Sequence, residues 1–136
     1  MDEQDEQNID GDSGLQFGKI TEAIIGCAFE VINELGIGFL ESVYEKSLAL
    51  ALQEKGFQVQ CQQPIQVRFR NRVVGEFYAD LLVEGRVIVE LKAVKAIGPE
   101  HQAQVINYLK ATGIEVGLLI NFGSTKLEYK RFTRHK

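Results

Sequence analysis

Two cysteines, two prolines and the lack of any long apolar run set the first limits on what this 136-residue sequence can be. Cys27 and Cys61 lie far apart, without CxxC spacing and without a neighbouring histidine. That pattern argues against a zinc cluster or a disulfide framework and predicts two small buried apolar side chains in a reducing compartment. No hydrophobic stretch approaches the length of a membrane span, and the N-terminus is acidic rather than signal-peptide-like. The expectation is a cytoplasmic protein with no membrane partner. Internal repeats and low-complexity core segments are missing too. Of the two prolines, Pro64 is expected to interrupt a strand and Pro99 to open a helix.

Basic residues are absent from one stretch altogether. Residues 1–14 hold six acids (Asp2, Glu3, Asp5, Glu6, Asp10, Asp12) and no Lys or Arg. Residues 1–15 are therefore expected to form a disordered acidic tail, and 16–136 a single domain. The formal net charge of −4 looks wrong for a nucleic-acid partner, but without those six acids 13 acids face 15 bases. Two basic groups are candidates for phosphate contacts: Arg68, Arg70 and Arg72 as an alternating stripe, and Lys130, Arg131 and Arg134 near the C-terminus. Solvated strand faces are the equal alternative.

What is present reads as ordinary globular chain, 45% hydrophobic and 25% charged. Ile20, Ala23, Ile24, Cys27, Val31 and Leu35 recur at helical spacing from Lys19 to the glycines at 36 and 38. A second helix is predicted from Leu40 to Lys55, with Glu41 in its first turn, where a carboxylate gains from the helix dipole. Alternating runs follow: Phe57–Cys61, then Ile65–Arg70, a turn at Asn71-Arg72, Val73–Val83 and Arg86–Lys92. A third helix, Pro99 to Ala111, should bury Ala103, Ile106 and Leu109 and place Gln104 beside Tyr108. Two further strands, Val116–Phe122 and Leu127–Phe132, complete an α/β sandwich with a mixed central sheet flanked by helices.

The chemistry concentrates at Asp80, Glu90 and Lys92. Side chains at i and i+2 of a strand share a face, so Glu90 and Lys92 project together. Their flanks, Leu81–Val83 and Val87–Val89, are apolar enough for central strands. If Asp80 joins them, two carboxylates meet, and paired oxygen ligands suit Mg²⁺ or Mn²⁺. Lys92 would hold a water or a phosphate oxygen beside the ion, as metal-assisted phosphodiester hydrolysis requires. The hairpin decides the matter. A two-residue Glu84-Gly85 loop pairs Val83 with Arg86 and turns Asp80 away from Glu90. A three-residue loop or a bulge sets the two opposite each other.

The run Gly38-Phe39-Leu40-Glu41-Ser42-Val43-Tyr44 resembles the motif of the GxxExxY protein family. Asp80, Glu90-Leu91-Lys92 and the Gln104…Tyr108 element resemble the PD-(D/E)XK nuclease superfamily, including its RecB-like branch, across about Lys19 to Phe132. Ala79 stands where the superfamily's name has proline. The resemblance implies a restriction-endonuclease-like core. It implies metal ligation by Asp80, Glu90 and the Leu91 carbonyl, with Glu41 as an added ligand or water holder. Lys92 would act on the attacking water, and Gln104 and Tyr108 would position phosphate or Lys92. The function expected is a metal-dependent nuclease, on DNA in preference to RNA, with a homodimer or a specificity-giving protein partner left open. The alternative is a non-catalytic nucleic-acid-binding or interaction domain on the same fold.

Overall fold

The computed structural model describes residues 12–134. The acidic-tail expectation falls mostly on residues outside that range. Helix α1 (Asp12–Leu35) begins ahead of Lys19, where the apolar periodicity starts. It is followed by α2 (Glu41–Glu54), β1 (Val59–Phe69), β2 (Arg72–Val83), β3 (Val87–Lys92), α3 (Pro99–Thr112), β4 (Val116–Asn121) and β5 (Glu128–Thr133). The five strands form one sheet in sequence order. Only β3 and β4 run parallel, because α3 crosses between them, so the sheet is mixed.

Two apolar layers hold the helices to the sheet. Ile20, Ile24, Cys27, Ala28 and Val31 of α1 and Tyr44, Leu48 and Leu52 of α2 pack on Leu81, Val83, Val87, Val89, Leu118 and Ile120. On the other face Tyr108 and Leu109 of α3 pack on Ile65, Ala79, Leu82 and Ile88. The sandwich thus has α1 and α2 on one side and α3 on the other. Among the described residues, no helix is long and apolar enough to cross a membrane.

Several local expectations are corrected. Pro64 does not interrupt β1 but pairs with Tyr78 inside it. An edge strand needs only one row of ladder bonds, and β1 is an edge, so the missing N–H is tolerated. The β1–β2 turn is Arg70-Asn71, both with positive φ (51° and 66°), rather than Asn71-Arg72. That turn takes Arg70 out of the supposed Arg68/Arg70/Arg72 stripe. Cys27 is buried as expected, but Cys61 is exposed. Strict alternation fails in β1: Val59 packs with the α1/α2 core and Ile65 under α3, although an even step separates them. Gln62, at φ 54°, breaks the pleat between them.

Helix α3 is rotated from the predicted face. Ala103 and Ile106 are exposed, and Val105, Tyr108 and Leu109 are buried. The cause lies across the interface at Gly117: a Cβ there would stand 2.8 Å from Val105 Cγ1. The glycine lets Val105 and Leu109 seat directly on β4.

Candidate active site

The β2–β3 hairpin settles the register. Val83 pairs with Val87, Leu82 with Ile88 and Leu81 with Val89, across a three-residue loop Glu84-Gly85-Arg86. Glu84 and Gly85 take positive φ (56° and 66°), and the Arg86 N–H closes onto the Val83 carbonyl at 3.0 Å. Opposed residues share a face, so the two-residue register would have set Arg86 beside the fully buried Val83. Burying a guanidinium there costs far more than one extra loop residue.

One step beyond Leu81 and Val89 the regular ladder gives way to side-chain bonds. The Asp80 N–H donates to Glu90 Oε2 at 2.8 Å, and the Leu91 N–H donates to Asp80 Oδ2 at 2.8 Å. Each carboxylate thus satisfies an amide of the other strand where the two strands fork, and each keeps one oxygen clear of that brace. Glu90 is only 3% exposed. Its carboxyl is pushed up to about 8 by burial and then by the Asp80 charge, against the Asp80 N–H bond and Lys92. Asp80 is raised as well, by burial first and by the charges of Glu45 and Glu41, and held down by the Leu91 N–H and Lys92. Among the described residues neither carboxylate has a Lys or Arg at ion-pair distance. Lys92 acts on both through its charge alone.

Helix α2 brings its first two turns to this fork. Glu41 is exposed in the first turn, within electrostatic range of Asp80 and Glu90. Tyr44 has a different task from Glu41. It is fully buried, stacks on Phe122 at 4.7 Å, donates its hydroxyl to the Gly36 carbonyl and accepts from the Phe39 N–H. It fastens the α1–α2 loop and so fixes where Glu41 stands. From α3, Gln104 Nε2 donates to the Tyr108 hydroxyl at 3.2 Å. Tyr108 is raised by burial and then by the Glu90 charge, with Asp80 adding to it, and its side chain packs in one cluster with Ala79, the neighbour of Asp80.

Two residues at the fork escaped the sequence reading. Gln62 donates through Nε2 to both oxygens of Glu45 (3.0 and 3.1 Å) and to Asp80 Oδ1 at 3.4 Å. Glu45 lies one helical turn beyond Glu41, and that spacing was the available signal. Gln62 gave no signal, because its position depends on the distorted backbone of β1. Behind Lys92, the buried Asn121 accepts from the Val94 and Gly123 N–H groups and donates to the Val94 carbonyl and to Glu128. This clamp holds the loop that leaves β3.

The six basic candidates are not gathered into one patch. Arg68 lines a groove between the β1–β2 hairpin and α3. Arg131 and Arg134 line a smaller one on the β5 side of α3. Lys110, not anticipated, lines both. Arg70 lies over the Phe69 ring at the hairpin tip, Arg72 is exposed, and Lys130 reaches Gln102 at 3.3 Å.

The donor set fits a hard divalent cation of the Mg²⁺ type. That ion keeps several waters and takes one or two carboxylates rather than a full protein cage. Among the described residues, no cluster of three or more His, Cys, Asp or Glu side chains able to hold a metal occurs. Buried Glu90 and half-buried Asp80 supply the one or two carboxylates that such an ion takes.

A family model described as the PD-(D/E)XK nuclease superfamily matches residues 18–132. A search of curated proteins finds no match. Among solved structures, one described as the crystal structure of SSO0001 is similar with a TM-score of 0.54 at 13% identity. The alignment covers 71% of this chain and 51% of that one, so this chain spans about half of its length. At that identity the likeness is one of fold.

Proposed function

The chain belongs to the PD-(D/E)XK nuclease superfamily, with that superfamily's restriction-endonuclease-like α/β fold, and from that premise we propose that it is a metal-dependent nuclease. It hydrolyses phosphodiester bonds in nucleic acid, DNA in preference to RNA. The observation that carries the reading is the pairing of half-buried Asp80 with buried Glu90, with no cation at ion-pair distance among the described residues. Two carboxylates so placed repel and resist ionising together unless a cation joins them.

Asp80, Glu90 and the Leu91 carbonyl would hold Mg²⁺ or Mn²⁺, and Glu41 would hold one of its waters or serve as an added ligand. When bound, the ion lowers the pKa of a coordinated water and offsets charge developing on the phosphate. Lys92 shares Glu90's face of β3, where its ammonium orients the attacking water and stabilises the developing negative charge. The Tyr108 hydroxyl, steadied by Gln104, donates to a phosphate oxygen and keeps the scissile group above the carboxylates. Arg68, Arg72, Lys130, Arg131 and Arg134 offer charge for flanking phosphates, and Arg70 does so from the hairpin tip.

The test is a Mn²⁺ titration by calorimetry on the wild type and on Glu90→Ala, with labelled single- and double-stranded DNA and RNA incubated in parallel. Mn²⁺ binding and cleavage that both vanish in the variant support the proposal. Salt-sensitive nucleic-acid binding without cleavage in Mg²⁺ or Mn²⁺ supports the non-catalytic alternative instead.

A further inference from the structure

A cavity lined by Gln104 and Tyr108, but not by Asp80, Glu90 or Lys92, stands apart from the carboxylate fork. It is a groove of about 980 Å³ between the β1–β2 hairpin and α3. That is the upper end of the roughly 300–1,000 Å³ range of small-molecule sites. Tyr108 lines the groove and packs with Ala79, next to Asp80, so it links the groove to the proposed scissile position. Its apolar surface comes from Val67, Phe77, Ala103 and Ala111. Phe77 leaves 45% of its surface open, and its ring stands 6.0 Å from that of Tyr108.

The rim has a mixed polar character. Gln66, Gln104 and Asn107 bring amides, which donate and accept at once, and Arg68 and Lys110 bring positive charge against one acid, Glu100. Arg68 is already oriented: one guanidinium nitrogen donates to Gln66 Oε1 at 3.0 Å and the other to the Asn71 carbonyl at 3.4 Å. A flat aromatic face, amide edges and a pair of cations are the three features a nucleotide needs: stacking, base-edge hydrogen bonds and phosphate neutralisation.

We infer that this groove binds an unpaired nucleotide adjoining the scissile phosphate, its base on Phe77 and its phosphate on Arg68 and Lys110, so that the substrate is single-stranded nucleic acid or a frayed end. A base inside a duplex is stacked on both faces and cannot present its ring to Phe77. The groove is concave and lies between two elements of the domain, so a duplex could enter only by giving up a pair. The inference rests on the proposed phosphodiester site, which it extends outward along α3.

The experiment is fluorescence anisotropy in EDTA, where nothing is cleaved. Its probes are a short labelled single strand, as DNA and as RNA, and the same sequence as duplex. Phe77→Ala removes the stacking platform. Ala103→Trp fills the groove from an exposed helix position and serves if Phe77→Ala does not fold. The wild type should bind one of the single strands about tenfold more tightly than duplex, and each variant should lose about tenfold for single strand and little for duplex. Equal affinity for single strand and duplex, or variants that bind single strand as the wild type does, would overturn the inference. A parallel cleavage assay in Mn²⁺ separates the two readings. Single-strand binding through Phe77 without cleavage leaves the groove and removes the nuclease. Cleavage of duplex with no single-strand preference leaves the nuclease and removes the groove.

Discussion

Asp80 and Glu90 brace each other's strands: the Glu90 carboxylate accepts from the Asp80 N–H, and the Asp80 carboxylate accepts from the Leu91 N–H, both at 2.8 Å. The brace carries a conflict, since it draws two like charges together in a part-buried fork. Asp80→Asn keeps an oxygen for the Leu91 N–H while removing one charge. Its expected effect is a metal-free melting temperature no lower than the wild type's at neutral pH. Mn²⁺ affinity and cleavage should both fall by about a hundredfold or more, in line with loss of an ion ligand. Calorimetry and a melting curve on one preparation check both halves, and retained Mn²⁺ affinity would contradict the ligand assignment.

Stability should depend on pH through Glu90. Its folded-state carboxyl is raised from 4.5 to about 8, so the folded chain holds this proton more tightly than the unfolded chain does. The contribution is complete below about pH 4.5 and is lost as pH rises through about 8. Metal-free protein should therefore need less urea to unfold at pH 9 than at pH 6, and Glu90→Gln should flatten that difference. An equal slope in the variant would assign the effect elsewhere.

Gln62 offers a separation of stability from function. Its backbone takes φ 54°, which glycine adopts more readily than glutamine, while its amide links Glu45 to Asp80. Gln62→Gly should leave the melting temperature unchanged or higher and weaken Mn²⁺ binding several-fold. A parallel fall in both would mean that Gln62 supports only the strand.

Asn121 should matter in the opposite sense. It is fully buried and satisfies Val94, Gly123 and Glu128 together. Asn121→Ala orphans buried backbone groups and should cost about 2–4 kcal/mol by urea denaturation. Hydrogen exchange should show its earliest loss of protection between Ala93 and Gly98. Unchanged exchange there would refute the clamp.

Most of the architecture was legible in the sequence because periodicity reports directly on which face of an element is buried. The helical stripe through Ile20, Ile24 and Cys27 and the apolar runs around Asp80 and Glu90 fixed the element order and the mixed sheet. The Glu90–Lys92 spacing set those two side chains on one face of β3 for the same reason. Pattern failed where a neighbour set the outcome. Pro64 was misread because a proline announces a break only if its N–H is needed, and sheet order decides that. Helix α3 turned its other face inward because Gly117, on a strand distant in sequence, left room for Val105.

By itself, then, the sequence determined which elements present Asp80, Glu90 and Lys92, since residue type and period are local properties. The convergence of Asp80 on Glu90 was decided only by the tertiary structure. Local pattern permitted two hairpin registers, and the penalty for burying Arg86 beside Val83 selected the one that joins the carboxylates. The same holds for Glu45, Gln62 and the groove at Phe77. Their proximity comes from strands and helices meeting across the sheet, and no spacing along the chain records it.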